Sequence, residues 1–475
     1  MLEFLILLPL LTGLAVFALP VRMGRVVLAA TGLLHLQLTL LGWLRPAQIG
    51  LPAFFAPTPA GMLVLLVTSF IFVFIAAYGI FYMREQEMRS EPVYLGCMLL
   101  FLGTMSMAAL ADHPIVLWIA IEATTLASAP LIFVNRSKKA LEATWKYVLI
   151  CSVGIALALL GFFFITLSLD RAGLEIPLTF TSLNSVADRL DPLWLKTGFL
   201  FVLIGFGTKM GLAPMHTWLP DAHSEAPSPA SALLSGALLN CAFLGIYKTH
   251  TLMHLAGLGE FSGGLLIGFG LLSILVAGIF ILDQPDYKRL LAYSSIENMG
   301  VIAFGVGIGG LALYGAMLHL IHHSLLKSSL FLSAGNLVLG FGSKLVAQTG
   351  NMARVLPRTF VAFFGGFVGI SGLPPFGVFA SELLIILGAF KSGHPVAAGL
   401  FIAGLVLVAA GFARIVTAMS FGPCRDELLV PEQGLRLAPP FALLLTSALL
   451  AVWMPPPLLE TIAGAIAALG GQIHG

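Results

Sequence analysis

A series of long apolar runs, each about as long as a membrane is thick, constrains this chain most. A membrane-spanning helix needs about 20 mainly apolar residues, and runs of that length account for most of the sequence. The chain is therefore expected to be all-α, a polytopic membrane protein with about 14 transmembrane helices. The predicted spans are 2 to 20, 26 to 44, 60 to 82, 93 to 111, 114 to 134, 145 to 169, 193 to 218, 229 to 250, 263 to 282, 291 to 309, 311 to 340, 359 to 390, 395 to 421 and 438 to 455.

The amino-acid composition agrees with a membrane protein. Hydrophobic residues make up 59% of the 475 residues and charged residues only 10%, whereas a soluble domain carries about a quarter charged residues. No loop between the spans is long enough to form a soluble domain. The formal net charge of +2 argues against a nucleic-acid partner held by a broad basic face.

The four cysteines give no sign of a redox centre. Cys97, Cys151 and Cys241 lie inside apolar runs, and neither they nor Cys424 belong to a CxxC pair. Ligation of an iron–sulfur cluster, a c-type haem or a ribbon-type zinc is therefore disfavoured. We expect the chain to hold no cofactor and no metal, so any enzymatic role depends on the complex to which it belongs.

The basic residues are shared unevenly between the two faces of the membrane. Arg22 and Arg25 follow the first apolar run, so that run is expected to be a retained span rather than a signal peptide. Alternating loops place fourteen Lys and Arg residues on one face and five on the other, and the positive-inside rule makes the richer face cytoplasmic. We predict a multi-pass protein of the cell inner membrane with both termini outside the cytoplasm, and a weakly amphipathic surface helix from residue 456 onward.

Eight charged residues fall inside the predicted spans, where each charge near the bilayer centre costs about 2.5 to 3.5 kcal/mol. Four of them are near span ends, where long side chains can reach water, and an anchoring role is favoured for these: Lys146, Lys248, Arg414 and Glu297. The other four are candidate functional residues, because ionisable groups deep in a membrane are usually functional: Glu122, Lys209, Lys327 and Glu382.

The stretch HLIHHSLLK concentrates titratable side chains in one span. His319, His323 and Lys327 stand at i, i+4 and i+8, with His322 beside them, so all four are expected near one helix face. Imidazole titrates near neutral pH and can pass a proton between its two nitrogens, which favours a proton relay. A metal site and a structural histidine cluster are the alternatives, although no nearby carboxylate or cysteine completes a metal shell.

Prolines interrupt two of the spans. KMGLAPMHTW contains Pro214 and ISGLPPFGVF contains Pro374 and Pro375, and proline removes a helical hydrogen bond and clashes with the preceding turn. A helix break, or at least a kink, is expected at both sites. Lys209 precedes the first break and Glu382 follows the second, so each break carries an ionisable group. Paired interrupted helices in two halves are typical of transporters built from inverted repeats.

The run KMGLAPMHTWLPDAHSEAPSPASALLSG, residues 209–236, resembles the signature of the antiporter-like membrane subunits. This family includes large membrane subunits of complex I, Mrp-type cation/proton antiporters and group 4 membrane hydrogenases. The resemblance covers nearly the whole chain and implies two inverted five-helix repeats, each with a broken helix. It divides the chain into residues 1–92 (spans 1–3), 93–250 (first repeat), 263–421 (second repeat) and 438–475 (span 14 and a tail).

The resemblance also implies roles for individual residues along a polar axis that carries protons. By matching positions, they are the fifth-span glutamate Glu122, the seventh-span lysine Lys209 that pairs with it, the sixth-span lysine Lys146, the eleventh-span pair His323 and Lys327, and the twelfth-span acid Glu382. For Lys146 this replaces the anchoring interpretation. The neighbouring His319 and His322 are included as proton-relay candidates. One departure is Asn240, which stands where many relatives have an eighth-span lysine.

Two further motifs, YSSIENMG at residues 293–300 and LLNCAFLG at residues 238–245, resemble the F component of hydrogenase-4 and of related formate hydrogenlyase complexes most. This implies a proton-translocating subunit of a membrane-bound oxidoreductase complex. Its partners would be other membrane subunits and a peripheral redox arm, and its ion would be the proton, with Na⁺ as the alternative. An Mrp-like antiporter and a non-conducting membrane anchor remain the competing functions.

Overall fold

The computed structural model describes residues 2–45, 54–86, 90–423 and 430–469, and this part of the chain is helical, with two isolated bridges and no strand. Cys424, Arg89 and Arg425 lie outside the described residues. The helices are α1 (Leu2–Val16), α2 (Val21–Leu44), α3 (Pro59–Glu85), α4 (Glu91–Leu110), α5 (Pro114–Phe133), α6 (Lys138–Arg171), α7 (Phe180–Ser185), α8 (Pro192–Met210), α9 (Trp218–Glu225), α10 (Ser228–Leu233), α11 (Leu239–Leu255), α12 (Gly259–Ile281), α13 (Tyr287–Ile308), α14 (Gly310–Phe341), α15 (Met352–Val355), α16 (Pro357–Ile370), α17 (Gly377–Lys391), α18 (Pro395–Phe421), α19 (Gly434–Val452) and α20 (Pro456–Ala467).

The number of membrane-length helices agrees with the sequence prediction. Among the described residues, 12 helices are long and apolar enough to cross a membrane, and the shorter apolar helices Glu3–Val16 and Pro357–Ile370 supply two more. Apolar side chains such as Leu149 and Val153 of α6 are largely exposed, whereas most polar groups of the central helices are buried. A surface of apolar side chains around buried polar groups suits a protein surrounded by lipid.

Local chemistry explains where several spans begin and end. The α8 helix starts at Asp191, whose carboxylate accepts the backbone N–H groups of Leu193 and Trp194 at 2.9 and 3.2 Å. Pro192 occupies its first turn, where a missing N–H costs nothing. The helix ends at Gly211, whose φ of 85° lies in the left-handed region that favours glycine.

The fold has two inverted five-helix units, and the predicted bounds assign spans 4–8 to the first and spans 9–13 to the second. Since five is an odd number of spans, the second unit is expected to begin from the opposite face of the membrane. The fourth span of each unit is the broken one, α8 with α9 and α16 with α17. Close packing within the first unit depends on small residues: a Cβ at Gly205 of α8 would lie 2.6 Å from the Cβ of Ala158 in α6.

Both predicted helix breaks are present. The span predicted at 193 to 218 ends as a helix at Met210, and α9 resumes at Trp218 after the segment that contains Pro214. The span predicted at 359 to 390 is interrupted between Ile370 and Gly377. The prolines cannot donate the hydrogen bonds that would continue either helix. Each break therefore brings non-helical backbone to membrane depth, next to Lys209 and Glu382.

The predicted surface tail is a packed helix. α20 buries Ile462, Ala465 and Ile466 and contacts α3. Trp43 donates a hydrogen bond from Nε1 to Thr461 Oγ1 at 2.7 Å, and the Tyr247 hydroxyl donates one to the Ala465 carbonyl. The helix therefore covers the ends of several spans. The boundaries drawn above between the repeats and the flanking regions remain a prediction.

Candidate functional site

Lys209 is the centre of a polar cluster in the first five-helix unit. It is the penultimate residue of α8 and its side chain is fully buried. Its Nζ donates to Thr125 Oγ1 of α5 and to the Tyr147 hydroxyl of α6, both at 2.7 Å. The Tyr147 hydroxyl also shares a 2.6 Å hydrogen bond with Ser128 Oγ. The amino group thus has a hydrogen-bonded route across two helices.

Glu122 lies one helical turn before Thr125 on α5, and Ser152 of α6 donates to its Oε1 at 2.7 Å. Its Oε2 is buried without a hydrogen-bond partner. The expected direct ion pair with Lys209 is not formed in this structure, because Ser152 binds the carboxylate while the amino group binds Thr125 and Tyr147. The two candidate residues share one polar cluster with hydroxyl groups between them.

Lys146 lies outside the buried clusters, and its place on the axis stays a prediction. Its side chain is 44% exposed and forms ion pairs with Glu142 at 2.6 Å and Asp221 at 3.1 Å. Arg289 of α13 contacts the same Asp221 at 3.2 Å. The reason is that α6 begins at residue 138, so Lys146 lies near the N-terminal end of the helix.

These charges surround a cavity of about 440 Å³ at the end of the two units that the sequence predicts to be cytoplasmic, here named the cytoplasmic vestibule. Lys344 bridges it, contacting Glu225 at 2.6 Å and Asp286 at 3.6 Å. Acidic and basic side chains alternate around the opening, so it carries no strong net charge. The residues that define the vestibule are Lys139, Glu142, Lys146, Asp221, Ser224, Glu225, Gln284, Asp286, Arg289 and Lys344.

The second five-helix unit holds a second polar cluster along α14. His319, His323 and Lys327, which share one helix face by their i, i+4, i+8 spacing, are all fully buried. His319 hydrogen bonds through Nδ1 to Ser381 Oγ of α17 at 3.0 Å and through Nε2 to Asn298 Oδ1 of α13 at 2.9 Å. The His323 ring lies nearly parallel to that of His319, with centroids 6.4 Å apart, and both of its nitrogens lack a partner.

Lys327 and its neighbours connect this cluster back to the first unit. Its Nζ donates to the Leu291 carbonyl at 2.8 Å, and Ser295 Oγ donates to the same carbonyl at 3.0 Å. Ser295 in turn shares a 2.8 Å hydrogen bond with Ser235, which lies in the π-helical turn before α11. Such π turns often occur at functional sites.

Asn240 provides a second link at the position of the missing lysine. Its Nδ2 donates to Ser324 Oγ of α14 at 2.7 Å and to the Gly236 carbonyl at 3.1 Å, while its Oδ1 has no partner. Ser324 is adjacent to His323 in the sequence. An amide and a hydroxyl therefore join α11 to the histidine helix where many relatives are expected to use an amine.

His322 points away from the other three residues of its motif, so the prediction of one shared face is only partly correct. Its Nδ1 bonds to Ser447 Oγ of α19 at 3.1 Å, because adjacent residues on a helix are turned by about 100°. Its Nε2 occupies the space beside Gly377, where a Cβ would come within 2.0 Å.

Glu382 lies on α17, directly after the residue that binds His319. A Cβ on Gly372, in the helix break, would come within 2.1 Å of Glu382 Oε2. The carboxylate therefore rests against the non-helical backbone of the second break. Only 9% of the side chain is exposed. Glu382 and Ser381 thus place the break next to the histidine cluster.

Glu297 and Lys248 are buried inside the protein. The anchoring role that the sequence favoured for them, with side chains reaching water at a span end, is therefore wrong. Glu297 is 2% exposed and accepts a hydrogen bond from the Asn298 side chain, while Lys248 is 6% exposed and donates to the Ala111 carbonyl. The reason for Glu297 is that α13 begins at residue 287, which places it three turns inside the helix. Arg414 is exposed, as expected for an anchor.

Sequence reasoning missed several members of the two clusters. Tyr147 and Asn298 gave no signal, since each is one polar group in an apolar run. Within the described residues, no group of three or more His, Cys, Asp or Glu side chains is arranged to hold a metal ion. The cysteines of the described region, Cys97, Cys151 and Cys241, are free and buried.

Comparison with known proteins relates this arrangement to a family. Residues 111–408 match the family described as NADH:quinone oxidoreductase/Mrp antiporter, TM. The chain is 38% identical over 360 residues to the hydrogenase-4 component F homolog of Methylacidiphilum infernorum, covering 75% of each chain. A chain of the membrane-bound sulfane sulfur reductase, an archaeal respiratory membrane complex, shares the fold with a TM-score of 0.87 at 21% identity, covering 99% of this chain and 98% of that one. A chain of the Mrp complex of Dietzia sp. aligns with a TM-score of 0.85 at 20% identity, covering 98% and 96%.

Proposed function

This chain belongs to the NADH:quinone oxidoreductase/Mrp antiporter family of membrane subunits, and from that membership we propose that it moves protons within a hydrogenase-4-like oxidoreductase complex. The observation that carries the proposal is the pair of buried polar clusters, one in each inverted unit. Each contains a fully buried lysine, Lys209 or Lys327, next to a helix break or a histidine pair. Burying an ionisable side chain in a membrane span costs free energy, so residues of this kind usually have a function.

In the first unit, Lys209 is the proton-storing group. Its amine can accept a proton and hold it through the Thr125 and Tyr147 hydroxyl oxygens. Movement of Glu122 toward the amino group would stabilise the ammonium form, and its return to Ser152 would favour proton release. The hydroxyl groups between the two residues make the ion pair switchable, because neither partner is left without a hydrogen bond when the pair opens.

In the second unit, the proton would pass along the side chains that line α14. Lys327, His323 and His319 are one turn apart, and His319 bonds to Ser381, which precedes Glu382. Neutral imidazole accepts a proton on one nitrogen and gives up a proton from the other, which suits the ring to a chain of this kind. Glu382, at the second break, would then receive the proton.

The links through Ser235 and Asn240 support transfer between the units. Hydroxyl and amide groups can hold bridging water, and buried water usually satisfies such unpartnered polar atoms. The Asn240 Oδ1 and both nitrogens of His323 are atoms of this kind. The driving energy would come from redox chemistry in partner subunits, because the proposal assigns no redox step to this chain.

The partners proposed are other membrane subunits and a peripheral redox arm, and the proposed location is the cell inner membrane with both termini outside the cytoplasm. The relative named hydrogenase-4 component F homolog supports this assembly. Purifying the tagged full chain in mild detergent and identifying its companions by mass spectrometry tests it. Hydrogenase-like and iron–sulfur subunits are the expected companions, and recovery with small Mrp-type subunits alone would contradict the assembly.

The proton function is tested with the variant Glu122→Gln in membrane vesicles that retain the whole complex. The amide preserves shape and can still bind Ser152, but it cannot form an ion pair with Lys209. We expect coupled proton movement to be abolished while the complex still assembles. Full proton movement by a correctly assembled Glu122→Gln complex would refute the role of the first cluster.

A second candidate function is cation/proton exchange of the Mrp type. The family description includes Mrp antiporters, and the fold is shared with a chain of an Mrp complex. The test adds Na⁺ to vesicles prepared without sodium. Proton transport that begins only after the addition of Na⁺ would favour this function over the first. A non-conducting anchor is the least supported possibility, because an anchor gains nothing from two buried lysines.

A further inference from the structure

We propose that His250 and His254 of α11 bind a divalent transition-metal ion such as Zn²⁺, in a cavity outside the two polar clusters. The site goes beyond the proton function proposed above and does not depend on it. Neither histidine was among the site residues predicted from the sequence. The expectation that the chain holds no metal came from the cysteines and from the α14 histidines, whereas this pair lies near the end of α11.

The cavity has a volume of about 870 Å³ and lies where three connections between helices meet. They are the turn between α11 and α12, the turn between α13 and α14, and the segment that leads into α18. Two spans separate each of these connections from the next, so the alternation of spans predicts all three on the external face. We name this space the external cavity.

Glycine backbone keeps the external cavity open. Gly257, Gly309 and Gly310 border it with φ values of 71°, 78° and 51°, in the left-handed region that favours glycine. A Cβ added at any of the three would meet nothing within 4 Å. The bare backbone at the rim therefore leaves room for an ion and its water to reach the side chains that line the cavity.

The two histidines line the external cavity at positions i and i+4 of α11. Residues with this spacing are neighbours on one helix face, and zinc metalloproteases hold one ion with two helical histidines spaced in the same way. His250 is only 5% exposed, whereas His254 is exposed at the edge of the cavity. The pair thus offers one ligand fixed by packing and one that can turn toward a bound ion.

A hydrogen bond orients the His250 ring. Its Nδ1 lies 2.9 Å from Ser262 Oγ of α12, and that hydroxyl lies 3.3 Å from the Leu258 carbonyl, four residues earlier. A serine in a helix commonly donates to the carbonyl at i−4, which leaves its oxygen to accept the Nδ1–H of the imidazole. The lone pair of His250 is then on Nε2. Histidines that bind metals are usually held by a hydrogen bond of this kind from the other ring nitrogen.

A structural histidine elsewhere in the same chain provides the contrast. His35 is fully buried, and its Nε2 bonds to Ser106 Oγ at 2.9 Å while its Nδ1 bonds to Ser69 Oγ at 3.0 Å. Both of its ring nitrogens are therefore used by the protein, as is usual for a buried polar side chain. His250 uses one nitrogen for the protein and keeps the other for a ligand at the cavity.

The remaining positions around the ion are open. Within the part of the chain that the structure describes, no three His, Cys, Asp or Glu side chains already surround one point. The proposed site therefore has two protein ligands and completes its shell with water. Glu260 and His394 line the same cavity and are exposed, so either side chain can approach a bound ion. Imidazole ligands suit Zn²⁺, Cu²⁺ and Ni²⁺, whereas Mg²⁺ prefers oxygen ligands.

The test measures metal binding to the full chain, purified in mild detergent without a histidine tag, by isothermal titration with ZnCl₂ and with MgCl₂. The variants are His250→Gln, His254→Gln and Ser262→Ala, and thermal unfolding shows whether each is folded. His113→Asn is the matched control. His113 does not line the external cavity and accepts the Ile115 N–H at the start of α5, a capping role that asparagine retains.

We expect the wild-type chain to bind a single Zn²⁺ saturably and to show no comparable binding of Mg²⁺. Ser262→Ala should weaken Zn²⁺ binding about 10- to 100-fold, as expected when the partner that orients a metal ligand is lost, and each histidine variant should weaken it at least about tenfold. His113→Asn should bind as the wild type does.

Two results would overturn the site: no saturable Zn²⁺ binding by the folded wild-type chain, or wild-type Zn²⁺ affinity in His254→Gln. Should His250→Gln fail to fold, the exposed His254 decides alone. The titration involves no membrane potential and no proton flux. Failure of the metal site and failure of the proposed proton function are therefore seen in separate experiments.

Discussion

Tyr147→Phe is the most informative single change in the first cluster, because it removes one oxygen atom and keeps the ring. The ring packs on Trp218 with centroids 4.9 Å apart and lies 4.5 Å from Lys209 Nζ, and both contacts survive the substitution. The lost hydroxyl accepts a 2.7 Å hydrogen bond from Lys209 and shares one with Ser128. Ser128 keeps its bond to the Thr124 carbonyl at 2.6 Å.

The size of the effect follows from those bonds. A hydrogen bond to a charged group contributes about 1.5 to 3 kcal/mol, and each 1.36 kcal/mol is about a tenfold change in rate. The ammonium form of Lys209 should therefore be destabilised by that amount, and the hydrogen-bonded route toward Ser128 is cut. We expect proton flux through Tyr147→Phe to fall about 10- to 150-fold.

The assay measures proton flux in liposomes that contain the purified full chain and an entrapped pH dye, with a membrane potential set by K⁺ and valinomycin. Tyr94→Phe is the matched control, since the Tyr94 hydroxyl is buried in α4 without a partner and its loss should leave flux unchanged. Equal flux in wild type and Tyr147→Phe, with both proteins folded, would refute the role of the hydroxyl. An equal loss in Tyr94→Phe would show that the assay reports a general effect on folding.

Three further predictions concern other parts of the two clusters. Gly377→Ala should cost about 1 to 3 kcal/mol of stability and disturb His322, because its Cβ would lie 2.0 Å from the ring Nε2; a thermal unfolding midpoint equal to that of the wild type would contradict this packing. Glu297→Gln should reduce proton flux while the fold is kept, since the carboxylate is buried beside Asn298; unchanged flux would return Glu297 to a structural role. Lys146→Ala should change stability by less than about 1 kcal/mol, because exposed ion pairs are weak, and should leave flux nearly intact; abolished flux would place Lys146 on the axis after all.

Much of the fold could be predicted because it depends on local sequence. Span lengths follow from the thickness of the bilayer, and the breaks at Pro214 and at Pro374 and Pro375 follow from missing backbone donors. That His319 and Lys327 share one face of α14 follows from helical spacing alone. These features need no knowledge of which helices become neighbours.

What could not be predicted depends on tertiary packing. Hydropathy does not mark where α13 begins, so the sequence places Glu297 near a span end. The motif match gives the position of Lys146 but not its exposure. The His322 side chain points away from those of its neighbours because α19 packs on that side of α14. Ser447 of α19 is its hydrogen-bond partner. Tyr147 and Asn298 resemble ordinary core residues until the helices around them are known.

The central claim, that protons cross through both buried clusters, is tested most directly by neutralising each lysine in turn. Lys209→Met and Lys327→Met replace a buried amine with an apolar side chain of similar length. Proton flux is measured in liposomes containing the full chain, with folding checked by thermal unfolding. The account predicts that each variant folds and that each loses nearly all flux. A folded Lys327→Met protein with wild-type flux would contradict a continuous route through the two units.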